Sequence, residues 1–210
     1  MSLMFPARLA RGDFLLPVNY LSTKVAKPTE RHYAAMMRVL RYVKGSLNRG
    51  ITLGGHKIEP VVYADASDKV HDDGRGHGGL FMTLGRGPVF SRSTKLRLIT
   101  LSSTESELLI VSDSACYILW WIALLTVLGC PCRKPVTVFQ DNQSAMLMQN
   151  GHASFRRSKH IIVRDSFIKE HIDNGKIVLK YIPTEDMCAD MLTKPLERRL
   201  FNRYVNTMFN

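Results

Sequence analysis

Residues 114–132, SACYILWWIALLTVLGCPC, run for 19 positions without a charged side chain. A helix of that length and polarity would cross a hydrocarbon layer, so either lipid or the rest of the protein must enclose it. The neighbouring residues favour the protein. The run grows directly out of STESELLIVSD, where Glu105, Glu107 and Asp113 continue one helix, and it stops at Gly129 with Pro131 beyond. The expectation is therefore a long helix, from about Ser103 to Leu128, at the centre of a domain rather than in a membrane. Trp120 and Trp121 are expected in its core or at an interface. With 210 residues, 45% of them apolar, the chain can build one such domain and a smaller appendage.

Before that helix the rhythm is that of strands. PVVYADAS (60–67), GGLFMTL (78–84) and GPVFSRS (87–93) follow one another, with GRG as the tight turn between the last two, which suggests an antiparallel meander. After the helix come a fourth strand at 135–140, a short helix from DNQSAMLMQN, a basic helix at 158–174, a fifth strand at 176–183 and a terminal helix opened by Thr184. Upstream, residues 29–47 read as an amphipathic helix capped by Thr29, and the Gly- and Pro-rich stretch from Gly50 to Pro60 is the best boundary. The fold class is α/β: a five-stranded mixed sheet, three antiparallel strands and then two reached by helical crossovers, flanked by helices, with a helical N-terminal appendage.

Charge narrows the partner. Lys and Arg number 29 against 18 Asp and Glu, a net of +11, which favours polyanions and puts nucleic acid first. Cys116, Cys130, Cys132 and Cys188 form neither a C-x-x-C pair nor a regular disulfide framework. Buried free thiols in a reducing, intracellular setting are the expected reading. MSLMFPARLARGDF lacks the apolar core of a secretory signal.

Against this basic background the acids stand out by position. Val61, Tyr63 and Asp65 share one face of the first strand, which puts Asp65 near that strand's C-terminal end, and the fourth strand ends in Gln140 and Asp141. Ligands of open α/β sheets gather outside such ends. Glu107 lies one turn into the long helix, and Asp190 follows Asp186 by one turn in the terminal one. A strand Asp, a helix Glu, a strand-end Asp and a helix Asp make a candidate cluster. Carboxylates that converge without a nearby Lys or Arg require a proton or a divalent cation, and hard oxygen donors select Mg²⁺ or Mn²⁺ over zinc. Glu105, Glu185 and Asp186 are explained as helix-capping acids.

The ordered stretches VYADAS, GRGHGGLFMTLGRGPVFSRSTK, LSSTESELL, VFQDNQSAM, RRSKHIIVRDSF and YIPTEDMCADMLTKPL closely resemble the ribonuclease H domain of Ty1/copia-type retrotransposon polyproteins. Residues upstream look like the segment that connects the reverse transcriptase of such an element to that domain. The resemblance implies a connection segment at 1–55 and a ribonuclease H-like domain at 56–210. It makes Asp65, Glu107, Asp141 and Asp190 the catalytic metal ligands, holding two Mg²⁺ ions, with Mn²⁺ an alternative, for hydrolysis of RNA paired with DNA. Lys95, Asn142, Arg156, Arg157, Lys159 and His160 become substrate-side candidates. His160 reads equally well as a structural hydrogen-bonder, and Asn142 as a helix cap.

Three departures accompany the resemblance. Ser67 stands where relatives carry a second Asp, Ile162 replaces the acid of the KHID pattern, and the long helix is far less charged. The apolar helix at 114–128 suggests a hidden surface for a polymerase domain or a second copy. A non-catalytic module binding nucleic acid or a protein is the competing expectation. An integrase of related fold is disfavoured by the fourth carboxylate and by the upstream connection segment.

Overall fold

The computed structural model of the chain describes residues 2–55, 58–132, 134–143 and 159–209. Helices α1 (Met4–Leu9), α2 (Leu15–Ser22) and α3 (Glu30–Lys44) come first. The start of α3 is where Thr29 predicts it. The Thr29 hydroxyl accepts the His32 amide and the His32 ring accepts the Thr29 amide, a reciprocal cap with His in the place usually held by Glu.

Five strands follow in the predicted order: β1 (Pro60–Ser67), β2 (His77–Leu84), β3 (Pro88–Lys95), β4 (Val136–Gln140) and β5 (Ile177–Tyr181). Their spatial order is β3-β2-β1-β4-β5, antiparallel on the β3 side of β1 and parallel on the other. Short turns can join only antiparallel neighbours, whereas α4 (Ser103–Val127) and α5 (Lys159–Asp173) are long enough to return the chain for parallel pairing.

One face of the sheet lies under α4. Val62, Ala64 and Ala66 point from β1 into a core with Ile110, Ala115 and Ile118. Burial thins along α4, and beyond Ala115 only Ile118 and Leu125 of the helix stay buried. Leu108 to Val111 are buried, but Trp120 is 58% exposed and Val127 84% exposed, so of the two expected settings Trp120 is not in the core. The helix is long and apolar enough to cross a membrane by length and composition, and half of its most apolar window lies inside the protein.

The other face is built by the two ends of the chain. Phe14, Leu15 and Val18 pack with Phe81, Leu192 and Tyr204 in a second core. The terminal helix is α6 (Arg198–Met208), not a helix opening at Thr184. Residues 184–192 instead form two 3-10 turns, Thr184–Asp186 and Cys188–Leu192. Met187 to Leu192 are buried without a gap. An α-helix presents one stripe to a core and would turn some of these six to solvent, whereas the tighter turn sinks them all.

Adjacent glycines on β2 admit both layers. A Cβ at Gly78 would stand 2.7 Å from Ile110 Cδ1 of α4; one at Gly79 would stand 2.6 Å from Thr193 Cγ2 and 2.9 Å from the Ala189 carbonyl. The four cysteines are free, but only Cys188 is buried. Cys116 and Cys130 are exposed and Cys132 half-buried, against the expectation of buried thiols.

Candidate functional site

Strands β1 and β4 are parallel neighbours, so their C-terminal ends open on the same side of the sheet, and each delivers an aspartate there. Asp65, buried at 3% exposure, sits opposite Gly79 of β2. Its Oδ2 accepts the Thr193 hydroxyl. Asp141 follows β4, and its Oδ2 accepts the Thr184 hydroxyl at 2.8 Å. Asp190 enters from the Cys188–Leu192 turn, seated on Gly79, and is 1% exposed. One carboxylate oxygen from each of the three lies within 4.8 Å of the others.

Glu107 approaches the trio from α4 but stands outside the 4.8 Å group. The Gln140 side-chain amide donates to Glu107 Oε2 and to the Ala64 carbonyl, both at 3.0 Å, tying the helix acid to β4 and β1. Burial pushes the Glu107 carboxyl well above the usual range, the charge of Asp65 pushes it further, and the Gln140 hydrogen bond works against both; Asp141 adds a smaller upward push. Asp190 is raised to about 7, first by burial and then by Asp65, with Lys194 opposing.

Lys194 corrects the expectation of a cluster without a nearby cation. Its Nζ lies 2.9 Å from Asp190 Oδ1. Burial acts to lower its pKa, but Asp65, Asp190 and Asp141 together outweigh burial and raise it. The four-residue spacing from Asp190 was the available signal, and it reads equally as an ordinary surface pair. Asp190 Oδ1 is buried, and among the described residues it is the Lys194 ammonium that faces it. A trio whose donors are all carboxylate oxygens, with an Asp65 charge that raises both Glu107 and Asp190, fits a hard divalent cation. Asp65, Asp141 and Asp190 would hold it directly, with Glu107 beside them.

The remaining site candidates are more dispersed. Lys95 pairs with Asp73 at 2.6 Å. Lys159 and His160 are exposed at the start of α5, and Asn142 is half-buried beside Asp141. Arg156, Arg157 and the short helix expected after Asp141 lie outside the described residues. Ser67 ends β1 opposite His77, and Ile162 is 49% exposed on α5. Asp68 is half-buried and accepts the Thr100 hydroxyl at 3.2 Å and the Ser106 hydroxyl at 3.4 Å. Glu105 behaves as a capping acid, accepting the Leu101 amide at 2.8 Å. Asp186 is taken up by Arg203.

No family model matches the chain. The retrovirus-related Pol polyprotein from transposon RE1 of Arabidopsis thaliana is 34% identical over 200 residues, 93% of this chain. The corresponding polyprotein from transposon RE2 of the same plant is 33% identical over 92% of the chain. The chain spans 14% of the length of each. Among solved structures, LC11-RNase H1 isolated from compost superposes with a TM-score of 0.50, covering 71% of this chain and 96% of that one at 14% identity. At that identity the likeness shows the fold: the sheet and its helices are ribonuclease H-like.

Proposed function

Because the chain belongs to the Pol polyproteins of Ty1/copia-type retrotransposons, matching one segment of them, we propose that it is an endoribonuclease hydrolysing the RNA strand of RNA–DNA hybrids with two divalent cations. The observation that carries this reading is the convergence of Asp65, Asp141 and Asp190, with oxygens within 4.8 Å, at the ends of two parallel strands. Such cations, Mg²⁺ or Mn²⁺, supply positive charge that acidifies a water and stabilises a leaving 3′-oxygen.

The chain's own groups prepare that site. Thr193 and Thr184 hold the carboxylates of Asp65 and Asp141 by single hydrogen bonds. Gln140 fixes Glu107. Lys194 offsets part of the repulsion before any cation enters. Asp65, Glu107 and Asp190 are enclosed, whereas Asp141 is partly exposed and leaves one side open to a phosphodiester. Lys95, Asn142, Arg156, Arg157, Lys159 and His160 are the proposed substrate-side groups, the basic ones holding phosphates without reading bases. Preference for RNA would come from 2′-hydroxyl contacts and groove shape. A polymerase domain is the proposed protein partner, and the setting is intracellular.

The test is cleavage of an end-labelled RNA–DNA hybrid in Mg²⁺. The parent is expected to cut the RNA strand, and Asp65→Asn and Asp141→Asn to lose about 100-fold or more of the rate, as removal of a cation ligand should. A parent that binds the hybrid and leaves it intact overturns the enzyme and supports the non-catalytic binding module.

A further inference from the structure

Behind the carboxylates, on the face away from α4, a line of buried polar groups joins the N-terminal segment to the turn that carries Asp190. His71 Nε2 is 3.0 Å from His77 Nδ1, His77 Nε2 is 2.7 Å from Ser93 Oγ, and Ser93 Oγ is 2.7 Å from the Leu192 carbonyl. His71, His77 and Ser93 are at most 4% exposed. Each group has few protons, and counting them fixes the direction of the line. A carbonyl only accepts, so the single Ser93 proton goes to Leu192. Ser93 must then accept from His77, which places the His77 proton on Nε2. A neutral His77 accepts on Nδ1, so His71 donates from Nε2. Burial holds both rings toward the neutral form, His77 at about 4, with a further lowering from His71.

Both ends of the line are anchored. At one end Tyr20 of α2 stacks on His71, centroids 5.6 Å apart, and Asn19 donates to the Ser93 carbonyl. At the other, Leu192 precedes Thr193, whose hydroxyl donates to Asp65, in the turn that presents Asp190. The turn rests against Gly79, directly opposite Asp65.

We infer that His71, His77 and Ser93 form a one-way hydrogen-bond relay that positions the Cys188–Leu192 turn and the Thr193 that follows it, and that the N-terminal segment, by closing over it, is a working part of the carboxylate site. The relay sets where Asp190 and Thr193 stand relative to Asp65. Its residues touch neither the reacting atoms nor a cation; they act through Leu192. The catalytic consequence rests on the proposed ribonuclease function, whereas the positioning itself does not.

Imidazole ¹⁵N NMR of the parent should show His77 as the neutral Nε2–H tautomer at pH 7; an Nδ1–H tautomer or an imidazolium overturns the relay. Ser93→Ala should weaken Mn²⁺ binding, measured by calorimetry, by about tenfold, and lower kcat on the hybrid at least as much with little change in KM, because a displaced ligand costs rate more than substrate affinity. Ser93→Thr, which keeps the hydroxyl, should recover most of the loss. A Ser93→Ala protein that melts earlier but binds Mn²⁺ as tightly as the parent overturns the positioning role. A parent that does not cut the hybrid defeats the functional reading alone, since the tautomer and the Mn²⁺ affinities still decide the relay.

Discussion

The two faces of the sheet deliver acids to one place by different means. On the α4 face, Glu107 rides on a 25-residue helix packed along Val62, Ala64 and Ala66, and many apolar contacts share the work of placing it. On the opposite face, Asp190 stands on a five-residue 3-10 turn that buries Cys188, Met191 and Leu192 in the second core, but whose seating depends on the close approach to Gly79 and on the single hydrogen bonds of Ser93 and Thr193. Apolar packing spreads a loss over many neighbours, whereas a lone buried hydrogen bond fails completely when its partner is removed. The turn face should therefore be the more fragile half of the site.

The sharpest way to break that contrast is to fill the paired glycines. Gly79→Ala forces Cβ against the Ala189 carbonyl and Leu192 Cβ, at 2.9 and 2.8 Å, and should cost about 3 kcal/mol and abolish Mn²⁺ binding. Gly78→Ala meets chiefly the movable end of Ile110 and should cost about 1 kcal/mol. Equal losses in urea melts would end the comparison.

Next in size is Thr193→Val, which removes a donor to a buried carboxylate and should destabilise by about 2 kcal/mol. Gln140→Leu on the helix face should cost about 1 kcal/mol, since its amide partner is an acid already raised toward its neutral form. If calorimetry finds Mn²⁺ affinity more damaged by Gln140→Leu, the helix face is the weaker support.

A pH series separates the acids themselves. The folded pKa of Asp190, about 7, lies above the value of about 4 for an unfolded carboxylate, so its contribution to stability is full below pH 4 and is lost as pH rises to 7. The loss between pH 5 and pH 8 is about 3 kcal/mol, so the metal-free protein should melt roughly 5–10 °C lower at pH 8 than at pH 5, and Asp190→Asn should flatten the trend. A trend unchanged by Asp190→Asn would assign it to Glu107 and the helix face.

The smallest effect is expected at Trp120, whose exposed ring should tolerate Trp120→Ser within about 0.5 kcal/mol in the same melts. A larger loss would mean that the Trp120 ring itself is held by its neighbours.

Much of this arrangement is legible in the chain. Period-two alternation marks β1 and puts Asp65 on the face opposite Ala64, a cap and a helical period mark α3, and an uncharged run marks α4, because each signal lies within a few successive residues. The Cys188–Leu192 turn is not legible in the same way. Its acids and its Thr184 suggest a capped helix, and only the pocket between β2, α2 and α6 makes six buried residues in a row the better solution. Lys194 is hidden by ambiguity, since a Lys four residues from an Asp is usually solvated. The relay is hidden by distance: Ser93 and Leu192 are 99 residues apart.

By itself the sequence determined the five strands and the long helices α3 and α4, that acids end two of the strands, and that the chain is basic, because propensity, periodicity and charge are local properties. Tertiary structure alone decided that Asp65, Asp141 and Asp190 meet within 4.8 Å, that Lys194 stands among them, and that the N-terminal helices brace the turn from behind. Those outcomes depend on a parallel crossover and on a turn pressed against Gly79, and such close approaches exist only once distant segments share a core.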